Sequence, residues 1–96
     1  MDPLDNPKNF VVRSIKNSHF SKQISAIYLH IENNLLITAS DNIAFTWEYD
    51  SFKFSGVCIV KKTVFAVSAK EKNDRLYAYV FDGNINIFDI ACSFAF

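Results

Sequence analysis

The 96-residue sequence predicts an all-β chain made of short strands, and three observations lead to this prediction. Half of the residues are hydrophobic and 16% are aromatic, so the chain carries enough apolar area to form a core. Short runs of β-branched and aromatic residues alternate with polar breaks. Two stretches of the chain also resemble each other at a fixed spacing. Together these features are typical of a sandwich, a barrel or a propeller.

The predicted strands follow an arm, residues 1–10, in which Pro3 and Pro7 oppose helix formation. Most breaks between strands carry pairs of Asn, Asp or Gly, which tolerate the left-handed backbone of tight turns. The best helical rival, residues 61–72, is rich in Thr, Val and Phe, which prefer strands. The eight strand-like runs are 10–15, 24–31, 35–40, 43–49, 52–60, 63–69, 76–81 and 85–90.

The internal repeat is clearest between residues 36–48 and residues 77–89, which can be aligned without a gap at an offset of 41. This alignment matches Asp41 with Asp82 and Trp47 with Phe88. Upstream, residues 24–27 resemble residues 64–67 at an offset of 40. A period of about 40 residues with four strands per unit indicates propeller blades.

The two units resemble the repeats of the WD-repeat β-propeller family, which run from a Gly-His-like entry to an aspartate turn and a closing Trp-Asp. In the first unit Ser18-His19 stands at the entry, and Asp41 lies six residues before Trp47-Glu48. In the second unit Asp82-Gly83 and Phe88-Asp89 fit the pattern. No His precedes Thr63 there, so the second unit is degenerate.

This resemblance implies a partial WD-repeat β-propeller of about two four-stranded blades. The first blade would cover residues 11–60, and residues 61–96 would form the second blade and the start of a further element. In the family a His, the turn Asp, a strand Ser or Thr and the Trp form a buried hydrogen-bond chain. The structural network implied here comprises His19, Thr38, Ser40, Asp41, Trp47, Asp82 and Phe88.

Composition argues against enzymatic, metal-dependent and membrane functions. Ten basic residues balance ten acidic ones, so the whole chain has no electrostatic attraction to nucleic acid or to an anionic membrane. No nucleophile or third metal ligand accompanies His19 and Asp41, so we expect no catalytic residue, metal or cofactor. Cys58 and Cys92 form no Cys-x-x-Cys motif, and buried free thiols are expected. Without a signal core or a span of ~20 apolar residues, a cytoplasmic location is predicted.

The predicted function is a non-enzymatic protein-protein interaction scaffold without a small-molecule substrate. The Asp82-Gly83 turn is similar to one in the family of the receptor for activated C kinase, a small-subunit ribosomal scaffold. Residues 35–38 and 64–67 are similar to the WD-repeat i subunit of the third eukaryotic initiation factor. Both similarities imply a role in translation and partners in a large assembly, with the small ribosomal subunit as one candidate. The apolar residues 91–96 also predict that part of the chain needs a neighbour.

Two alternatives stay open. A small RNA-binding β-domain would expose Tyr77, Tyr79 or Phe81 beside lysines, so that any RNA contact is local. A compact standalone interaction protein, associated with the ribosome or viral, would carry the repeat by accident. Placement of Asp41 and Asp82 in unrelated turns would favour this last alternative over the propeller.

Overall fold

The computed structural model describes Ser14, His19, Phe20 and residues 22–90. Within this part of the chain, seven strands form two antiparallel sheets. The first sheet has the order β1 (Ala26–His30), β2 (Leu35–Ser40), β3 (Ile43–Glu48) and β4 (Lys53–Ile59), with a 3-10 turn at Ile31–Asn33. The second sheet has the order β5 (Ala66–Lys72), β6 (Arg75–Phe81) and β7 (Ile85–Asp89). The all-β prediction is therefore confirmed.

Seven of the eight predicted strands are found, most with ends within a few residues of the predicted ones. The eighth run, residues 10–15, lies outside the described residues, as do the predicted arm and residues 91–96. The second sheet has three strands among the described residues, against the four predicted for each blade.

The turns between strands use the chemistry that the sequence indicated. Asn34, Asp41, Asn73 and Asp74 have positive φ angles of 55°, 49°, 53° and 63°. Gly83, with φ of 104°, adopts a conformation that is strained for other residues. Asp and Asn accept left-handed backbone at low cost because their short side chains can bond locally. These turns make each sheet a meander of neighbouring strands.

The core lies between the two sheets and is built by strand alternation. Side chains at every second residue of a strand point to the same face. In β2 the residues Leu35, Ile37 and Ala39 point inward, and in β6 the inward residues are Leu76, Ala78 and Val80. Burial of each large aliphatic side chain contributes roughly 1.5–3 kcal/mol. The rest of the buried cluster comprises Ala44, Cys58, Val60, Val64, Val67 and Ile90.

Each sheet also has a face that points away from the other sheet. The outer face of the first sheet consists of Ile27, Leu29, Leu36, Thr38, Ser40, Ile43, Phe45, Trp47, Phe54, Val57 and Ile59. The outer face of the second sheet consists of Ala66, Ser68, Lys70, Lys72, Arg75, Tyr77, Tyr79, Phe81, Ile85, Ile87 and Asp89. A register shift after Thr46 places Phe54 opposite Trp47, where the two rings meet edge to face at 5.7 Å.

The segment between the sheets, residues 60–65, is fastened to both of them. The Val60 and Val64 amides donate to the carbonyl oxygens of Asn42 and Asp41, at 2.9 and 2.7 Å. The Asn42 side chain donates back to the Val60 carbonyl at 3.0 Å. On the other side, the Phe65 amide donates to the Phe81 carbonyl at 3.0 Å. The linker therefore fixes how the second sheet sits on the first.

Candidate functional site

Four of the predicted network residues meet on the outer face of the first sheet. His19 Nδ1 lies 2.7 Å from Ser40 Oγ, and His19 Nε2 lies 2.6 Å from Thr38 Oγ1. Trp47 Nε1 donates to the same Thr38 oxygen at 2.9 Å. Each of the four residues is at most 6% exposed. Buried polar groups stabilise a fold when they are paired in this way, and each unpaired one costs about 1–3 kcal/mol.

Strand geometry explains why these side chains meet. Thr38 and Ser40 are two residues apart in β2 and therefore point to the same face. Trp47 lies on that face of β3, which pairs with β2. The imidazole of His19 lies over the face and contacts the ring of Phe45, with centroids 4.6 Å apart. The network therefore ties the segment that precedes β1 to the two central strands.

The imidazole of His19 has hydroxyl partners at both ring nitrogens, and burial lowers its pKa below the usual value of 6.5. A neutral ring donates at one nitrogen and accepts at the other, and either hydroxyl can take the complementary role. The neutral form therefore suits this environment, which offers the ring hydroxyls instead of a carboxylate.

The expected place of Asp41 in this network is corrected by the structure. Its carboxylate lies 2.9 Å from Lys22 Nζ, in an ion pair whose two side chains are more than half exposed. Asp41 follows Ser40 directly and begins the turn with φ of 49°, so its side chain leaves the face that Ser40 shares with His19. Ser40 supplies the contact to His19 Nδ1 instead.

Asp82 is 4% exposed and binds the linker instead of a histidine. Its Oδ2 accepts from the amides of Lys61 and Lys62 at 3.1 and 2.9 Å. Its Oδ1 accepts from the Asn84 amide at 3.1 Å and from Asn86 Nδ2 at 2.9 Å. Hydrogen bonds from the Lys62 and Asn84 amides, with smaller contributions from Asn86 and Lys61, lower the pKa of Asp82 to about 2.

The ladders also correct the gapless alignment of the two units. Trp47 pairs with Leu36, and Phe88 pairs with Ala78. If Trp47 is matched with Phe88, at an offset of 41, their strand partners Leu36 and Ala78 must also match, and their offset is 42. An offset of 41 instead of 42 between β2 and β6 would match each residue of β2 with one on the opposite face of β6, because a slip of one residue reverses the face of every side chain.

With this register Thr38 corresponds to Val80 and Ser40 corresponds to Asp82, instead of Asp41. Phe88 is half-buried and packs against the core, whereas Trp47 uses its indole N–H. The second unit therefore replaces both the donor and the acceptor of this bond by apolar groups. Such a joint replacement can be nearly neutral, whereas loss of one partner is costly.

Sequence reasoning predicted an apolar surface that needs a neighbour but did not identify the exposed isoleucines of the outer faces. Ile27 and Ile59 on the first sheet are 65% and 62% exposed, and Ile85 and Ile87 on the second are 70% and 61% exposed. The available signal was that both the odd-numbered and the even-numbered residues of a strand are apolar, which indicates burial of both faces. A cavity of about 210 Å³ opens at one end of the first outer face, lined by His19, Phe20, Lys22, Ser40, Asp41, Asn42, Ile43 and Phe45.

The described residues hold neither a metal ligand set nor a membrane-spanning helix. Within that part of the chain, no three His, Cys, Asp or Glu side chains come together as a metal ligand set. None of its helices has the length and apolarity needed to cross a bilayer. Cys58 is a free, buried thiol, and burial raises its pKa to about 11.

Comparison with solved structures places this geometry among β-propellers. The chain is similar to the Cps50 (Swd1) β-propeller domain of Myceliophteria thermophila, with a TM-score of 0.56, 17% identity and coverage of 73% of this chain and 23% of that one. It is similar to Sqt1 of Saccharomyces cerevisiae, with a TM-score of 0.56, 13% identity and coverage of 88% and 22%. It is also similar to the computationally designed protein Ika4, with a TM-score of 0.56, 14% identity and coverage of 79% and 46%.

The chain thus spans less than a quarter of the two natural proteins and less than half of the designed one. No family model and no curated protein matches it. The fold is that of part of a β-propeller, so the predicted fold class, an all-β partial propeller, is confirmed.

Proposed function

We propose that this chain is a non-enzymatic scaffold of the WD-repeat type that binds other proteins. The observation that carries the proposal is that the buried polar groups bond within the fold, whereas the exposed faces are apolar. The buried polar groups around His19 and Asp82 are bonded to strands and to the linker, so they serve the fold. The exposed faces, in contrast, are apolar and suit protein contacts.

RNA binding is the alternative function that the tyrosines and lysines on the outer face of the second sheet suggest. Tyr77 and Tyr79 lie on this face, and Lys70 stands directly opposite Tyr77 in the β5–β6 ladder. The same face carries Lys72 and Arg75, but they lie at one end of it, and Arg75 is paired with Asp89. The next strand contributes Ile85 and Ile87, whereas an RNA platform would need basic side chains along the whole strand path. The composition of this face therefore favours a protein partner.

The finer part of the proposal is that the assembly is cytoplasmic and belongs to the translation machinery. It rests on the similarity of the Asp82-Gly83 turn and of residues 35–38 and 64–67 to propeller scaffolds of the small ribosomal subunit and of an initiation factor. The small ribosomal subunit is the partner to test first.

Cross-linking of the tagged chain in extract from its own cells tests the scaffold proposal. We expect cross-links to a small set of proteins, mapped to lysines beside the outer faces, such as Lys22 and Lys70. Pretreatment with nuclease should leave them intact, and loss of all partners after nuclease would contradict the proposal. The translation role is tested separately by co-sedimentation with purified small ribosomal subunits, with Asp41→Asn as a control variant that keeps the fold. Absence of the chain from the ribosomal fractions would refute that role.

A further inference from the structure

We propose that copies of this chain associate head to tail, with the outer face of the second sheet of one copy packed on the outer face of the first sheet of the next. The association closes into a ring. This inference goes beyond the scaffold function, because it assigns the occupant of the two outer faces to a second copy of the same chain.

The packing inside the chain is the template for this association. Strands β1–β3 correspond to β5–β7, with Trp47 matching Phe88 and Ser40 matching Asp82, and β4 has no counterpart among the described residues. The outer face of the first sheet therefore corresponds to the inner face of the second, and the outer face of the second to the inner face of the first. Since the two inner faces pack together, we expect the outer face of the first sheet and the outer face of the second sheet to pack together in the same way. Repetition of one rotation by unlike faces gives a ring if it closes.

The chemistry of the two outer faces supports mutual burial. Phe54 and Val57 join Ile27 and Ile59 as half or more exposed residues on the first outer face. On the second, Ile85 and Ile87 lie beside the half-buried row of Tyr77, Tyr79 and Phe81. The charged groups lie toward the margins. Lys22 pairs with Asp41 beside the first sheet, and one end of the second outer face holds Lys70, Lys72 and the pair of Arg75 with Asp89. Apolar areas of this kind rarely stay uncovered.

The linker contacts predict specific bonds between copies. Inside the chain, the turn after β2 meets the linker through Asn42 Nδ2 to the Val60 carbonyl and the Val64 amide to the Asp41 carbonyl. The counterparts of Asn42 and Asp41 are Asn84 and Gly83, because the offset is 42 along β6. The counterparts of Val60 and Val64 are Phe20 and Ile24, because the offset is 40 before the first strands.

The turn after β6 of one copy is therefore expected to meet the segment that holds Phe20 and Ile24 in the next copy. The cavity of about 210 Å³ opens beside this segment, between Phe20, Asp41 and Phe45, and would receive the turn. The turn after β6 of another copy would thus fill the cavity of the first outer face.

The number of copies follows from the number of units. The structure describes two units, and propellers close with 4–8 blades, so a ring built from such pairs alone requires two to four copies. Because the contact joins unlike faces, blocking either face of a copy leaves the other face functional.

The test measures the mass of the purified chain by sedimentation velocity and light scattering. We expect a discrete oligomer of two to four chains for the wild type. Ile27→Lys blocks the first outer face and Ile87→Lys blocks the second, and each variant alone should be a monomer. An equimolar mixture of the two should form a dimer and nothing larger, since one intact pair of complementary faces remains. Ile31→Lys, in the turn between β1 and β2, is the control and should keep the wild-type mass.

Four results would overturn the proposal. The first is a wild-type monomer at every concentration. The second is oligomerisation of either variant alone, which would show like-to-like contacts. The third is a mixture that stays monomeric. Near-UV circular dichroism of Trp47 reports whether each variant is folded, and nuclease treatment shows whether bound RNA holds the oligomer together, which would also overturn it. A monomer that still captures protein partners would remove this inference and leave the scaffold function standing.

Discussion

Trp47 Nε1 donates to Thr38 Oγ1 across β2 and β3, and the corresponding residues of the second unit, Phe88 and Val80, carry neither donor nor acceptor. The two units therefore secure the same place in the sheet by different means. The first relies on a buried polar chain that ends at His19, and the second on apolar packing together with the linker bonds of Asp82.

This relationship predicts a non-additive pair of substitutions. Trp47→Phe leaves the Thr38 hydroxyl with one partner fewer, and this change should lower the free energy of unfolding by about 1–3 kcal/mol. Thr38→Val removes the partner of both Trp47 Nε1 and His19 Nε2 and should cost more than Trp47→Phe. The double variant recreates the pair Val80 and Phe88 and should cost less than the sum of the two. Urea unfolding of all four proteins measures the coupling. Ser51→Ala, at an exposed turn, is the control and should change little. Strict additivity would contradict the proposed bond.

The lowered pKa of His19 predicts a loss of stability in mild acid. The unfolded chain binds a proton at this ring near pH 6.5, whereas the folded chain resists protonation until a lower pH. The contribution of His19 to stability is therefore complete above pH 6.5 and falls as the pH decreases toward the folded value. The melting temperature should decline through this window in the wild type. In His19→Gln, which lacks a titrating ring, that part of the decline should disappear, and an unchanged pH profile would contradict the assignment.

Asp82 and Asp41 should respond differently to the same chemical change. Asp82→Asn places an amide nitrogen among the donors of Lys61, Lys62, Asn84 and Asn86, so the melting temperature should drop clearly. Asp41→Asn removes only an exposed ion pair and should have little effect.

Acid titration gives Asp82 a second signature. Its contribution to stability is present above the ordinary pKa of 3.8 and is lost as the pH falls toward about 2. The wild type should therefore lose stability in this range, and Asp82→Asn should lose less. Equal acid sensitivity of the two proteins would show that other carboxylates dominate.

Burial of Cys58 predicts slow thiol chemistry in the native state. With its pKa raised to about 11, the group is almost entirely protonated at neutral pH and reacts slowly with alkylating reagents. In a Cys92→Ser variant, labelling of Cys58 should be slow in buffer and fast in urea. Equal rates in both would mean that the core between the sheets opens freely.

Much of the fold could be predicted because strand alternation and turn chemistry are local properties. The Asn and Asp residues that begin turns, such as Asp41 and Asn73, do adopt left-handed backbone. Asp41 could not be placed correctly, since a single residue of difference in the turn after β2 decides whether Asp41 or Ser40 faces His19. The inner and outer faces of β2 also could not be told apart from the sequence pattern, because all six of its residues are buried.

The linker bonds have a mechanical consequence. Residues 60–65 are held at one end by the turn of the first sheet and at the other by Asp82 and Phe81 of the second. These bonds must break before the two sheets can move apart. We therefore expect separation of the two sheets under load and loss of the linker bonds to occur in one event, because the linker is bonded to both sheets.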